Sequence, residues 1–220
     1  MKRSFKKQFG VLIVVVALIA GYGISALAQS KTVSSPAPNV NPSERKSLGS
    51  KSAPITIEVF SDFQCPACRN FYETTLKLVI DNYVNTGKVY LVHRDFPLDM
   101  HPFSRQAARF ANAAAELGQF ESVERALFDH QDTWSPTGKI DEALASTIPA
   151  AELKKIHEIE SQHATEINAS IERDRTMGIQ RNVNQTPTIY VTAHGKTEPL
   201  PGGGVDYRLL KQYLDYLLRQ

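Results

Sequence analysis

The distribution of apolar and polar positions divides the chain into short β-like runs and longer amphipathic stretches. Ile55 to Phe60, ITIEVF, is β-branched and apolar with no helical period, and Pro54 and Ser61-Asp62 bound it. This pattern predicts a buried strand. From Pro66 onward the apolar positions Phe71, Leu76, Val79, Ile80 and Tyr83 recur at three- and four-residue steps until Gly87, which predicts an amphipathic helix. Lys88 to Phe96, KVYLVHRDF, reads as a second strand ended by Pro97. Between Ser104 and Gly178, alanine-rich and Leu/Ile-periodic stretches predict several helices divided by Pro136, Gly138 and Pro149. Thr188 to Thr192, TIYVT, returns to strand. A turn at Ala193 to Lys196 leads to a short strand around Thr197 to Leu200, and Val205 to Leu218 reads as a final helix.

The predicted order is β, α, β, a helical block, β, β, α. A helix crossing between two strands demands parallel pairing, whereas two strands joined by a tight turn are antiparallel. An α/β fold follows, with a mixed central sheet and helices on both faces.

Composition changes this picture little: 220 residues, 42% of them apolar, with 12 Gly and 12 Pro, are ordinary for a globular protein. The net charge of +2 owes its sign to Lys2, Arg3, Lys6 and Lys7; without residues 1–28 it becomes −2. Nothing in that balance suggests a nucleic-acid surface. The basic start, the apolar run from Val11 to Ala20 and the Ala26-Leu27-Ala28 pattern are the parts of a secretory signal, with cleavage expected after Ala28. The competing reading is an uncleaved anchor in the inner membrane, since Phe9 to Ala28 carries no charge. Both readings place the remainder outside the cytoplasm, in a periplasmic or other extracytoplasmic compartment where disulfides persist. Gln29 to Ser47, rich in Ser, Pro and Asn, reads as a flexible linker, and the folded domain is expected from Leu48 to Gln220.

The only cysteines are Cys65 and Cys68, in SDFQCPACRN. Three uses compete. Structural zinc needs two further ligands, and the six histidines show no metal-binding spacing among themselves. A staple closing so small a loop would remove little chain entropy. A redox pair fits the placement best. Cys65 follows a strand and begins a helix, and Pro66 suits the first helical position. Free N–H groups and the helix dipole then stabilise a thiolate at Cys65, whose pKa would fall into the range of about 3.5 to 7.5. A sulfur of low pKa is also a good leaving group, which makes the disulfide form oxidising. Cys68, one turn further and directed inward, becomes the shielded resolving thiol.

LGSKSAPITIEVFSDFQCPACRNFYE, HRDFPLDMHPFSRQAARFANAAAELGQF and NQTPTIYV with PLPGGGVDYRLLKQYLDYL together resemble the DsbA-like thiol:disulfide oxidoreductases, in particular the thioredoxin-4 group. The resemblance covers Leu48 to Leu218. It implies a thioredoxin-like fold with an all-helical subdomain inserted at about residues 99–180, Cys65 as the exposed nucleophile and Cys68 as its resolving partner. Thr186-Pro187 matches the family's cis-proline loop, in which the backbone of Thr186 can pair with a substrate peptide as an added strand. Pro66 and Ala67 separate the cysteines where strongly oxidising relatives place a histidine beside the second one, so a side chain that could steady the thiolate is missing. Many relatives carry a proton-relaying acid six residues before the first cysteine. Here that position is Val59 and the acid is Glu58, one strand step away and so on the opposite face unless the strand bulges. Glu58 is either a relay brought round by a bulge or a partly solvated strand carboxylate.

Other polar candidates read as structural. His93 and Asp95 are expected to satisfy backbone groups at a strand end, Asp62 to form the strand-to-helix turn, and Trp134 to be packed. The expected activity is a dithiol oxidase that introduces disulfides into unfolded or reduced exported proteins by exchange at Cys65-Cys68. It would be a monomer with no cofactor or metal beyond its redox-active disulfide, reoxidised by a quinone-linked membrane partner of the DsbB or vitamin K epoxide reductase type. The alternatives are a reductase or isomerase on the same fold, and a non-catalytic peptide-binding module or holdase.

Overall fold

The structure is a computed structural model that describes residues 42–220. The signal or anchor expected at 1–28, and residues 29–41 of the expected linker, lie outside the described residues. Five strands form one sheet in the order β1-β3-β2-β4-β5, with β1 at Ser47–Leu48, β2 at Ile55–Ser61, β3 at Val89–Asp95, β4 at Thr188–Ala193 and β5 at Lys196–Pro199. β2 and β3 pair in parallel, and β1 on β3, β4 on β2 and β5 on β4 are antiparallel. The mixed sheet is as expected from the element order. The β4–β5 turn is the two residues His194 and Gly195, both at positive φ, the backbone form that matches the twist of a tight hairpin.

The parallel β2–β3 pair is bridged by a helix over 66–84, in which α-helical turns (Pro66–Phe71, Lys77–Val79) alternate with π-helical ones (Tyr72–Leu76, Ile80–Val84). Its apolar stripe, Phe71, Leu76, Val79, Ile80 and Tyr83, joins Ile55, Ile57, Val59 and both cysteines in the main core. The opposite sheet face carries Phe60, which packs with Phe96 and Val183. Helix Ala164–Gln180 covers that face at close range. A Cβ on Gly178 would come within 2.6 Å of the Phe96 ring, so only glycine lets the helix approach so near. The inserted block also contains helices Ser104–Glu116, Phe120–Asp129, Gln131–Trp134, Ile140–Ala145 and Ala150–Gln162. Trp134 is fully buried there, its indole N–H donating to Leu127 O at 2.7 Å.

Two expectations need correction. The fold begins before Leu48: residues 42–47, assigned to the linker, contain a helical turn at Pro42–Arg45 and the first residue of β1. Lys46 is fully buried, with its ammonium on the carboxylates of Asp95 and Asp174, the latter at 2.5 Å. His93 and Asp95 do not serve mainly to satisfy the backbone. With Lys46, Asp174, Asn112 and Glu124 they build a buried polar network that ties the sheet to the helical insertion.

Candidate active site

The site forms where the chain leaves the C-terminal end of β2. Cys65 has extended backbone angles and is the N-cap of the 66–84 helix, Pro66 occupies the first turn, and the Arg69 amide donates to Cys65 O at 3.1 Å. The connecting loop is clamped by the insertion. Gln131 Nε2 donates to Phe63 O at 2.7 Å and to Cys65 O at 3.1 Å, and Gln64 donates to Ser135 O at 2.9 Å while accepting from Phe103 N at 2.8 Å. Asp62 does more than make a turn. Its buried carboxylate accepts from Gln64 N at 2.7 Å, Ser104 Oγ at 2.5 Å, Leu98 N at 2.8 Å and His101 Nδ1 at 2.7 Å. Gln64, Ser104 and Gln131 carry no sequence signal of this role, because their partners are brought to them only by the packing of the insertion.

Both cysteines are free thiols, and they differ in access. Cys65 was expected to be exposed; it retains 7% of its surface, against 1% for Cys68. Pro66 and Ala67 between them are exposed. The Cys65 thiol faces the loop before β4 and donates to Thr186 O at 3.4 Å; the Thr186–Pro187 peptide is cis and both residues are buried.

The two sulfurs titrate apart. The Cys65 thiol is pushed down to about 5. The largest cause is the Cys68 thiol, which donates to the Cys65 sulfur; burial opposes ionisation, while the amides of Cys68 and Ala67 support it. The helix amides therefore contribute as expected from the sequence, but the neighbouring thiol contributes more. Burial and the adjacent Cys65 sulfur push Cys68 well up. A thiolate of this kind is both a competent nucleophile at neutral pH and a good leaving group.

Glu58 does not join the site. The β2 register runs without a bulge from Ile55 opposite Val89 to Ser61 opposite Asp95. Alternation therefore turns Glu58 away from the face on which Val59 and the cysteines pack. Its carboxylate binds Arg94 at 2.6 and 2.8 Å and Arg181 at 2.7 Å. Burial raises its pKa, but the guanidinium groups of Arg181 and Arg94 outweigh this and hold it below the usual carboxylate value. Cys65, Cys68, Pro66, Ala67, Thr186 and Pro187 come together; Glu58 is a structural ion-pair residue.

A mixed five-stranded sheet with a helical insertion, and a Cys-x-x-Cys opening the helix after its central strand, defines the class of DsbA-like thiol:disulfide oxidoreductases. The Thioredoxin_4 family model, described as thioredoxin, matches residues 42–201, and the chain belongs to that family. It is 27% identical over 160 residues to the probable disulfide bond formation protein D of Bacillus anthracis, spanning 69% of this chain and 71% of that one. A segment of 98 residues, 44% of this chain, is 37% identical to part of the Na(+)/H(+) antiporter NhaA 3 of Salinispora tropica, of whose length it spans 14%. Among solved structures, α-DsbA1 of Wolbachia pipientis superposes with a TM-score of 0.66 over 83% of this chain and 92% of that one, at 22% identity, and so shares the fold.

Proposed function

We propose that the chain is an extracytoplasmic dithiol oxidase that introduces disulfides into exported proteins. The observation that carries this reading is the geometry of the pair: Cys65 caps the 66–84 helix beside the cis Thr186–Pro187 peptide, while Cys68, at 1% exposure, lies shielded behind it. Stabilising the reduced form as a Cys65 thiolate makes the Cys65-Cys68 disulfide easy to reduce, and therefore oxidising toward other dithiols. A substrate thiolate attacks the Cys65 sulfur, Cys68 leaves, and a second substrate thiolate then attacks its own mixed disulfide, so that the substrate leaves oxidised and the enzyme reduced. The backbone of Thr186 offers an extended substrate peptide a pairing edge beside the Cys65 sulfur, and Pro187 next to it presents no N–H. The name of the Bacillus anthracis relative agrees with this direction. Export rests on the N-terminal signal; no helix among the described residues is long and apolar enough to cross a membrane. Regeneration requires a disulfide-generating partner, for which a quinone-linked membrane protein of the DsbB or vitamin K epoxide reductase type is the proposal.

The test is the reduction potential, measured by equilibration with glutathione. A value above about −200 mV supports the oxidase, whereas one near about −270 mV assigns the site to reduction. Cys65→Ser is expected to abolish oxidation of a reduced, unfolded substrate and Cys68→Ser to trap mixed disulfides; full activity in either variant rejects the scheme.

A further inference from the structure

If the site is a thiol–disulfide exchange centre, the reading on which this inference rests, its rate depends on the direction in which the Cys65 sulfur is held. A substrate thiolate attacks that sulfur in line with the Cys65–Cys68 bond. A bond forms between the substrate sulfur and Cys65, the bond between the cysteines breaks, and Cys68 departs with the electron pair and later takes a proton from solvent. Alignment of this kind is lost when the backbone carrying the attacked atom can turn, and small displacements are costly.

The backbone in question is Phe63 to Cys65, between the end of β2 at Ser61 and the helix that starts at Pro66. Cys65 caps that helix with extended angles, φ −77° and ψ 122°, and presents its thiol to Thr186 O at 3.4 Å. The carbonyls of the same stretch meet Gln131, the first residue of the short insertion helix Gln131–Trp134. This residue retains 3% of its surface. Its carboxamide nitrogen donates to Phe63 O at 2.7 Å and to Cys65 O at 3.1 Å.

The chemistry of this double contact is narrow. Two acceptors converge on one atom, which must carry two hydrogens; a hydroxyl supplies one and a carboxylate none. The contact spans the peptide units on both sides of Gln64, whose own side chain is gripped by Ser135 O at 2.9 Å and Phe103 N at 2.8 Å. Ser135 N in turn donates to Gln131 O at 2.9 Å, so the two insertion residues that hold the loop are fixed to each other.

We propose that Gln131 is a positioning residue of the exchange: its carboxamide locks the peptide units on both sides of Gln64 and so holds Cys65 as the helix cap, with its sulfur aimed at the Thr186–Pro187 loop.

The experiment mixes oxidised protein with excess reduced dithiothreitol and follows opening of the disulfide by acid quench and mass spectrometry. Beside it, the pH profile of Cys65 alkylation by iodoacetamide is recorded on the reduced protein. Gln131→Met keeps the length of the side chain and removes both donors. Loss of hydrogen bonds of ordinary strength lowers the population of the aligned backbone by a factor of about three to ten, so the variant should open the disulfide more slowly by that factor. The midpoint of its alkylation profile should move upward, because the amides of Cys68 and Ala67 no longer meet a fixed sulfur. Trp134→Phe is the control. It removes another buried hydrogen bond of the same short helix, one directed away from the loop to Leu127 O, and should open within twofold of native with the native midpoint.

A folded Gln131→Met protein that opens within twofold of native, or that opens slowly with an unmoved midpoint, overturns the proposal. Equal slowing in Trp134→Phe also overturns it, since the effect would then follow from loosening of the insertion. So does a Gln131→Met protein whose near-ultraviolet circular dichroism is not native, because the carboxamide would then be a requirement of the fold. A native protein that dithiothreitol does not open overturns the exchange reading itself, whereas a reactive native protein matched by Gln131→Met overturns only the role of Gln131.

Discussion

His93 Nδ1 lies 3.0 Å from Glu124 Oε1, joining β3 to the insertion helix Phe120–Asp129 while the imidazole stacks on Phe63 of the active-site loop at 4.9 Å. Burial disfavours the imidazolium, but the carboxylates of Asp95 and Glu124 outweigh it and push the His93 pKa up to about 9. A raised pKa contributes stability that is complete below the unfolded value of about 6.5 and is lost as pH rises through the folded value. The protein should therefore lose on the order of 3 kcal/mol between neutral pH and pH above 9. Denaturant titrations at a series of pH values check this. His93→Gln should be less stable at pH 7 and show a much flatter alkaline dependence; an unchanged dependence would place the titrating group elsewhere.

Glu58 supplies a clean separation of stability from chemistry. Glu58→Gln weakens the pairs to Arg94 and Arg181 and should cost about 1 to 3 kcal/mol at neutral pH, because it leaves two part-buried guanidinium groups short of charge. Since its folded pKa is lowered, the native ion pairs contribute above the unfolded value and are lost as pH falls through the folded one. Disulfide opening by dithiothreitol should stay within twofold of native. A tenfold loss of rate in a folded Glu58→Gln protein would restore this carboxylate as a proton relay.

Lys46 marks the limit of what the sequence discloses. In the string SERKSLG it reads as one more charge in a polar linker, yet it is fully buried with its ammonium on the carboxylates of Asp95 and Asp174. Burial pulls its pKa down, but the two carboxylates pull it up further, so it stays charged. Lys46→Met should destabilise the protein by about 3 to 5 kcal/mol, because it leaves two buried carboxylates facing each other without their cation. Chemical denaturation checks the figure. A loss below about 1 kcal/mol would show that the 42–48 segment is dispensable to the fold.

How much of the molecule is legible in the chain depends on the range of the interactions. The strand at Ile55, the helix from Pro66 and the placement of Cys65 at its start are local, and alternation, periodicity and a proline at the first turn reveal them. The even alternation of β2 likewise put Glu58 on the wrong face for a relay unless a bulge intervened, and the register has none. The partners of Lys46, His93 and Gln131 are 128, 31 and 68 residues away in sequence for Asp174, Glu124 and Phe63. A polar side chain looks the same in sequence whether it ends in water or in a buried network. For the same reason the contribution of Cys68 to its neighbour's acidity was hidden: helix-start amides can be anticipated from position, but which thiol donates to which depends on side-chain direction.

That last contribution can be measured. The Cys68 thiol, donating to the Cys65 sulfur, stabilises the Cys65 thiolate ahead of the amides of Cys68 and Ala67. Cys68→Ala removes this donor while leaving the helix start, Pro66 and the Thr186 loop in place. The rate of Cys65 alkylation by iodoacetamide, followed against pH, should report an apparent pKa near 5 in the reduced native protein. In Cys68→Ala it should move upward by at least about one unit, since a charge-assisted hydrogen bond of about 1.5 to 3 kcal/mol is lost, while remaining below the free-thiol value of about 8.5 because the amides persist. An unchanged value would assign the acidity to the helix start alone. A value at that of a free thiol would mean that the amides contribute nothing and that the acidity of Cys65 comes from its partner sulfur.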